Sequence, residues 1–266
     1  MRPLASRSVI SATERRARLK AVYEQAKTCT RCPLHKTRTT VVFGSGNADA
    51  DLMFIGEAPG ANEDKQGLPF VGQAGKLLSK LLIEIGLERS DVFICNTVKC
   101  RPPNNRDPHP HEIDSCNEYL RGQVELIQPT VICTLGNFST KLLRGDNTGI
   151  SRLHGQAEVR TIGARAIRLY PLYHPAAALY TPSTLEVLRA DFHRIPELLA
   201  LGAPEQPEQP EEPEQPEFEE EIPEPEEPEG PVADRGPDPG PDLTVRDEDL
   251  TGGAAPENEP VQLGLF

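Results

Sequence analysis

Four cysteines of the chain are spaced as metal ligands often are. Cys29 and Cys32 form a Cys-x2-Cys pair, and Cys100 and Cys116 form a Cys-x15-Cys pair. Four thiolates bind either a zinc ion or a [4Fe–4S] cluster, and the spacing alone does not distinguish the two. The cysteines therefore predict a metal centre whose identity stays open at this point.

The segment between the two cysteine pairs is rich in glycine and proline. Residues 56–60 follow an apolar run and allow the backbone to approach a ligand closely, with peptide N–H groups facing an anion or a base. The acidic residues Glu57 and Glu63 stand near the aromatic Phe70. Carboxylates beside an aromatic ring suit a base-binding pocket, and they suit helix capping on a solvated surface equally well.

Charge divides the chain into two parts. Residues 1–202 hold 26 basic and 20 acidic residues, a net charge of +6, whereas residues 203–266 hold 2 basic and 21 acidic residues, a net charge of −19. The basic part suits a polyanionic partner. The acidic part carries 14 of the 27 prolines and few apolar residues, so we predict a disordered Pro/Glu-rich tail. Residues 1–202 are enough for one domain with a substantial core.

The N-terminal region and the cysteine usage bear on the compartment. No run of about 18 apolar residues is present, so we expect no membrane span. Six cysteines without a signal peptide predict a reducing compartment, and we expect a cytoplasmic protein. Ser11 and Glu14 fit a capping box that begins a helix continuing over residues 15–27.

Apolar runs and helical patterns alternate after the first cysteine pair. Strands are predicted at 51–56, 92–97, 130–135 and 166–173, and helices at 74–85, Pro110–Ile127, 136–143 and 185–201. Such alternation predicts an α/β fold with a mostly parallel sheet and helices on both faces, in which ligands bind at the carboxyl ends of the strands. Glu57, Asn96 and His174 all stand at those ends. Cys95 and Cys133 fall inside the predicted strands and are interpreted as buried structural cysteines.

Several motifs together resemble a known family. They are Gly56-Glu-Ala-Pro-Gly60, Gly67-x-Pro-Phe-Val-Gly72, Asn96-x-x-Lys-Cys-Arg-Pro-Pro103 and His174-Pro175-Ala-Ala. Over about residues 29–199 the chain closely resembles the family 4 uracil-DNA glycosylases, the iron–sulfur type. Family 5 enzymes lack the acidic first motif that Glu57 supplies, and the covalently cross-linking relatives have Gln where this chain has Ala58.

The resemblance implies a fold, a cofactor and a reaction. The fold is a three-layer α/β/α sandwich around a four-stranded parallel sheet. The cofactor is a [4Fe–4S] cluster bound by Cys29, Cys32, Cys100 and Cys116. The reaction is excision of uracil from single- or double-stranded DNA by a protein that we expect to be a monomer.

The chemistry of uracil excision indicates roles for several residues of these motifs. A flipped uracil would stack on Phe70, while the Asn96 amide donates to O4 and accepts from N3–H. His174 and backbone N–H groups of the loop would stabilise the negative charge that develops at O2. Glu57 or Glu63 would position water or stabilise the cationic sugar. The substrate-binding set is thus expected to be Gly56, Glu57, Ala58, Phe70, Asn96 and His174.

Other segments are candidates for contacts with DNA and with a partner protein. Leu179 or Tyr180 would fill the gap left by the flipped base, and residues 99–106 would hold phosphates. The last residues resemble the bacterial sliding-clamp-binding motif through Gln262, Leu263, Leu265 and Phe266, with Gly264 departing from the pattern. The expected organisation is a glycosylase domain at 1–202, a linker at 203–260 and a clamp-binding peptide at 261–266.

Two alternatives from other functional classes stay open. One is a non-catalytic DNA-binding module that a metal stabilises and the clamp recruits. The other is an iron–sulfur redox protein with a basic surface. A glycosylase assay distinguishes all three possibilities.

Overall fold

The computed structural model describes residues 10–207. The predicted Pro/Glu-rich tail from residue 208 onward lies outside the described residues, as do the four clamp-binding residues Gln262, Leu263, Leu265 and Phe266. Statements about structure below refer to residues 10–207.

The described residues form one mixed sheet of six strands. In chain order, β1 to β6 span Ser45–Gly46, Leu52–Gly56, Phe93–Asn96, Val131–Leu135, Glu158–Ile162 and Arg165–Leu172. Their spatial order is β1-β3-β2-β4-β6-β5. The four inner strands run parallel, and β1 and β5 add antiparallel edges.

The predicted α/β class is therefore confirmed. The predicted number of four strands is wrong, because the sheet also contains the two edge strands β1 and β5. Apolar runs identify all four inner strands, since both faces of these strands are covered. β1 has only two residues, and β5 has no fully buried residue. Neither edge strand carries an apolar run, so each is specified by pairing with its neighbour.

Helices cover the sheet between these strands. In chain order, α1 to α9 span Ala12–Lys27, Ala61–Gln66, Gln73–Glu84, Pro110–Ile127, Asn137–Arg144, Ile150–Leu153, Pro175–Ala178, Pro182–His193 and Ile195–Ala200. None of them combines the length and apolarity needed to cross a membrane. One half of the predicted capping box of α1 is confirmed, because Ser11 Oγ accepts from the Glu14 N–H at 3.1 Å; the Glu14 carboxylate accepts from Arg18 Nη2 at 2.6 Å.

The last predicted helix is two helices rather than one. α8 ends at His193 and α9 begins at Ile195, with Pro196 in its first turn. Proline has no N–H to donate to the preceding turn, which explains the interruption. The predicted bounds of α4 agree with the observed helix at both ends.

Alternate residues of the central strands pack into two separate cores, one on each face of the sheet. Met53 and Ile55 belong to the core beneath α1 and α4, and Leu52 and Phe54 belong to the core beneath α3 and α8. This is the period-two alternation of a strand buried on both sides. It produces the three layers of the sandwich. Cys95 and Cys133 are fully buried within these cores, as predicted.

Candidate active site

The carboxyl ends of the parallel strands meet along one edge of the sheet. Gly56 pairs with Asn96 in the β2–β3 register, which places Glu57 beside the end of β3. The Gly136 N–H donates to the Leu172 carbonyl at 2.9 Å, which fixes the segment leading to His174. Glu57, Gly136 and His174 line a cleft of about 610 Å³ at this edge.

Gly56 allows two predicted site residues to approach each other. A Cβ at this position would lie 2.4 Å from Asn96 Oδ1 and 2.7 Å from Phe70 Cζ. Any side chain there would displace the amide or the ring. Phe70 also stacks near His174, with ring centroids 5.7 Å apart and an interplanar angle of 28°. The structure thus brings Gly56, Phe70, Asn96 and His174 together.

Phe70 has an unusual backbone conformation. Its φ is 53°, in the left-handed region that bulky residues rarely adopt. Arg89 holds the turn from one side by donating to the Pro69 carbonyl at 2.8 Å and to the Phe70 carbonyl at 3.2 Å. Such conformations cost roughly 1–3 kcal/mol and persist where surrounding contacts enforce them, often at functional sites.

Glu63 holds the same turn from the other side. Its Oε1 accepts hydrogen bonds from the Val71 and Gly72 N–H groups, each at 2.9 Å. Glu63 also lies close enough to His174 to influence the pKa of that imidazole. It therefore lies at the site, with one carboxylate oxygen committed to the backbone that aims Phe70.

His174 is arranged as a neutral hydrogen-bond donor. Its Nδ1 accepts from the Ala176 N–H at 3.1 Å, which leaves the proton of the neutral ring on Nε2. Burial lowers the pKa of His174 to about 4, and the Glu63 carboxylate opposes this shift. At pH 7 the ring is therefore uncharged.

Glu57 shares the cleft with a second carboxylate that the sequence analysis missed. The Glu57 carbonyl accepts from Thr97 Oγ1 at 2.6 Å and from the Val98 N–H at 3.2 Å, which fixes its backbone. Burial, followed by the charge and hydrogen bonding of Asp107, raises the pKa of Glu57 to about 7. Asp107 stands in an irregular segment before α4, where no periodicity indicates the direction of its side chain.

The remaining predicted residues occupy separate places. Ala58 packs against the core beneath α1 and α4. Leu179 is half-buried, and Tyr180 is 88% exposed just beyond α7. Both are close in sequence to His174, and Tyr180 is the more exposed of the two.

The prediction that Lys99 binds a DNA phosphate is wrong. Lys99 is 1% exposed, and its Nζ donates to the Asn96 carbonyl and to Gln123 Oε1. Arg106, at the other end of the 99–106 segment, forms a two-point ion pair with Glu112. A lysine that packs inward cannot reach a DNA phosphate, and no sequence pattern around Lys99 indicates this burial.

The four candidate metal ligands lie near one another. Cys29 and Cys32 influence the pKa of Cys116, and Cys32 and Cys116 influence that of Cys100, although burial is the largest cause at both thiols. Among residues 10–207, no group of three or more His, Cys, Asp or Glu side chains has the arrangement of a ready metal-ion site.

Hydrogen-bond donors also surround these sulfurs. Arg38 Nη1 donates to Cys100 Sγ at 3.3 Å, and the Lys99 N–H donates to Cys116 Sγ at 3.3 Å. Arg38 Nη1 donates in addition to the Cys29 carbonyl at 2.8 Å. N–H donors of this kind suit thiolates bound to a metal, so the donor set fits a four-thiolate centre.

A parallel sheet that presents an amide, an imidazole and carboxylates at its carboxyl edge is typical of α/β enzymes. Residues 43–195 match the family model described as the uracil DNA glycosylase superfamily, and the chain belongs to that superfamily. A type-4 uracil-DNA glycosylase of Sulfurisphaera tokodaii is 49% identical over 185 residues, covering 68% of this chain and 84% of the relative.

Two further relatives separate the types. A type-4 uracil-DNA glycosylase of Archaeoglobus fulgidus is 46% identical over 188 residues, covering 69% of this chain and 94% of the relative. A type-5 uracil-DNA glycosylase of Pyrobaculum aerophilum is 31% identical over 149 residues, covering 49% of this chain and 63% of the relative. The resemblance to family 4 is confirmed.

Proposed function

We propose that the protein removes uracil from DNA by hydrolysing its N-glycosidic bond, the first step of base excision repair. The position of Phe70, close to Gly56 and its neighbour Asn96 and also to the His174 ring, supports this proposal together with membership of the superfamily. A base in a duplex is out of reach of such a cleft, so the nucleotide must be flipped out.

Asn96 and Phe70 provide recognition of the base. The Asn96 side-chain amide can donate to uracil O4 and accept from N3–H, whereas cytosine presents the opposite pattern. Phe70 provides an apolar surface on which the ring stacks. The turn held by Arg89 and Glu63 keeps that surface in place before substrate arrives.

His174 assists departure of the base. Negative charge builds on uracil O2 as the bond to the sugar breaks, and the Nε2–H of a neutral imidazole can donate to it. The hydrogen bond at Nδ1 supports this tautomer. Backbone N–H groups of the 56–60 loop are assigned as further donors.

Carboxylates act on the sugar side of the reaction. We assign Glu57 to orienting the attacking water or stabilising the cationic sugar, since it lines the cleft with His174. Glu63 contributes by holding the Phe70 turn and through its charge near His174. Gly56 and Ala58 complete the substrate-binding loop.

Cys29, Cys32, Cys100 and Cys116 would hold a [4Fe–4S] cluster. Such a cluster supplies a covalent link between distant segments, and we assign it a structural role. The N–H donors from Arg38 and Lys99 support this assignment. In the described part of the chain, none of the four cysteines lines the cleft.

DNA contacts and the tail complete the proposal. We assign the gap left by the flipped base to Leu179 or the exposed Tyr180. Gln206 bonds to both main-chain groups of Ala166, at the start of β6 and so at the opposite end of that strand from His174. We assign residues 203–260 as a linker, of which Gln206 is held at this end of β6. A cytoplasmic, monomeric enzyme tethered by residues 261–266 to the sliding clamp fits this arrangement.

One assay tests the proposal against its rivals. Purified protein is incubated with single- and double-stranded oligonucleotides that contain one uracil, and abasic sites are measured by strand cleavage in alkali. Abasic sites at uracil, with none on matched thymine oligonucleotides, are expected. Binding of DNA without any excision would instead support the non-catalytic module, and neither binding nor excision would support the redox protein.

A further inference from the structure

Lys99 is a buried cation without an acidic partner. Its side chain donates to the Asn96 main-chain carbonyl at 2.8 Å and to Gln123 Oε1 at 2.6 Å, both neutral acceptors. The ammonium also lies 5.9 Å from the centre of the Phe43 ring. No carboxylate in the described part of the chain forms an ion pair with it.

A charge in this position requires compensation. Burying an ammonium is costly unless an anion or several strong acceptors replace its water. Two neutral oxygens and the buried Cys95 thiol, which also hydrogen-bonds with the Lys99 side chain, meet part of that need. Anionic groups of another kind are close by, in the cysteine centre.

The same residue contacts that centre directly. The Lys99 N–H donates to Cys116 Sγ at 3.3 Å, and Cys100 is the next residue in the chain. Lys99, Cys100 and Cys116 are all buried, so little water screens the ammonium from the thiolates of this centre. A metal centre bound by four thiolates carries a net negative charge whether the metal is zinc or an iron–sulfur cluster.

We propose that Lys99 is a positioning residue that joins the cysteine centre to the uracil-recognition amide. Its ammonium is the countercharge of the metal-bound thiolates, and the same ammonium fixes the main chain of Asn96. Loss of the metal would leave the ammonium uncompensated and would loosen the strand end from which the Asn96 amide projects. The inference rests on the proposed uracil site and metal centre.

The test compares Lys99→Met with the wild-type holoprotein after anaerobic purification. Metal per protein and the rate of metal loss to a chelator measure the effect of the ammonium on the cysteine centre. Inhibition of excision by free uracil measures its effect on the Asn96 amide. We expect metal loss to be about tenfold faster and uracil inhibition to be roughly 10- to 100-fold weaker, as for a lost charge-assisted hydrogen bond. Lys80→Met, at an exposed position of α3, is the matched control and should change neither quantity.

Two further measurements separate positioning from general damage. Affinity for a duplex that contains an abasic site should be unchanged in Lys99→Met, because Asn96 contacts the base rather than the backbone. If Lys99→Met does not fold, Gln123→Met removes one acceptor of the ammonium and should shift both quantities in the same direction by less. Wild-type metal loss and wild-type uracil inhibition in the folded variants would overturn the inference. Absence of uracil excision by the wild-type protein would instead overturn the proposed function.

Discussion

The carboxyl groups of Glu57 and Asp107 lie within hydrogen-bonding reach of each other at the cleft. Burial is the largest cause of the raised pKa of Glu57, and the nearby negative charge of Asp107 adds to it. Glu57 therefore loses its proton only as the pH rises through about 7.

This pair predicts the pH dependence of excision. Because the Glu57 pKa is raised to about 7, the carboxylate form is gained as the pH rises through that value, and the single-turnover rate should rise with it. Asp107→Asn removes a charge that raises this pKa, so the midpoint should move to lower pH while staying above the ordinary value of 4.5. Asp146→Asn is the control, since Asp146 lines the same cleft but pairs with Arg144. A midpoint that is equal in the wild type and Asp107→Asn would exclude the pairing.

His174→Ala should slow excision by roughly 10²–10³, the usual cost of removing one donor to a developing anion. The donor acts mainly on charge that appears as the bond breaks, so affinity for an abasic-site duplex should change little. Single-turnover rates and duplex binding, measured on the same preparation, give both quantities. A wild-type rate would remove His174 from the reaction.

Asn96→Asp should abolish uracil excision or weaken uracil discrimination. An ionised carboxylate cannot donate to O4, and the amide that it replaces is buried beside Gly56. Excision is measured on matched oligonucleotides that contain uracil or cytosine. Unchanged preference for uracil would mean that another group distinguishes the two bases.

The sequence predicts which residues lie at the strand ends, but it does not predict the contacts between loops. Glu57, Asn96 and His174 follow apolar runs, and strand direction alone places them at one edge. Three features of the site depend on contacts between residues distant in sequence. They are the Asp107 carboxylate beside Glu57, the hydrogen bonds from Arg89 to the Phe70 turn, and the inward direction of Lys99. No local periodicity encodes such contacts.

Cys100→Ala should destabilise the domain and deplete the metal centre, with no separate defect in catalysis. Cys100 is buried and accepts a hydrogen bond from Arg38, so its loss disturbs packing as well as ligation. Absorbance at about 400 nm, iron content and thermal unfolding measure the first effects. At saturating substrate, excision per folded molecule should stay near the wild-type value, whereas inhibition by free uracil should weaken with the loss of metal. The matched variant Cys133→Ala should keep full iron. Stoichiometric zinc without iron in anaerobically purified wild-type protein would refute the cluster.

The peptide of residues 260–266 should bind the replication sliding clamp, and a domain that lacks it should not. Leu263, Leu265 and Phe266 can fill an apolar groove while Gln262 bonds at its rim, and the acidic linker that we propose would leave them free to do so. Deletion of residues 262–266 should spare excision on short oligonucleotides and lower it only on DNA loaded with clamp, because tethering raises the local enzyme concentration. Replacing Leu265 and Phe266 with alanine should reproduce the deletion, whereas Gly264→Ser, which restores the usual third residue, should tighten binding. Equal clamp affinity for the full-length and truncated proteins would show that the tail has another role.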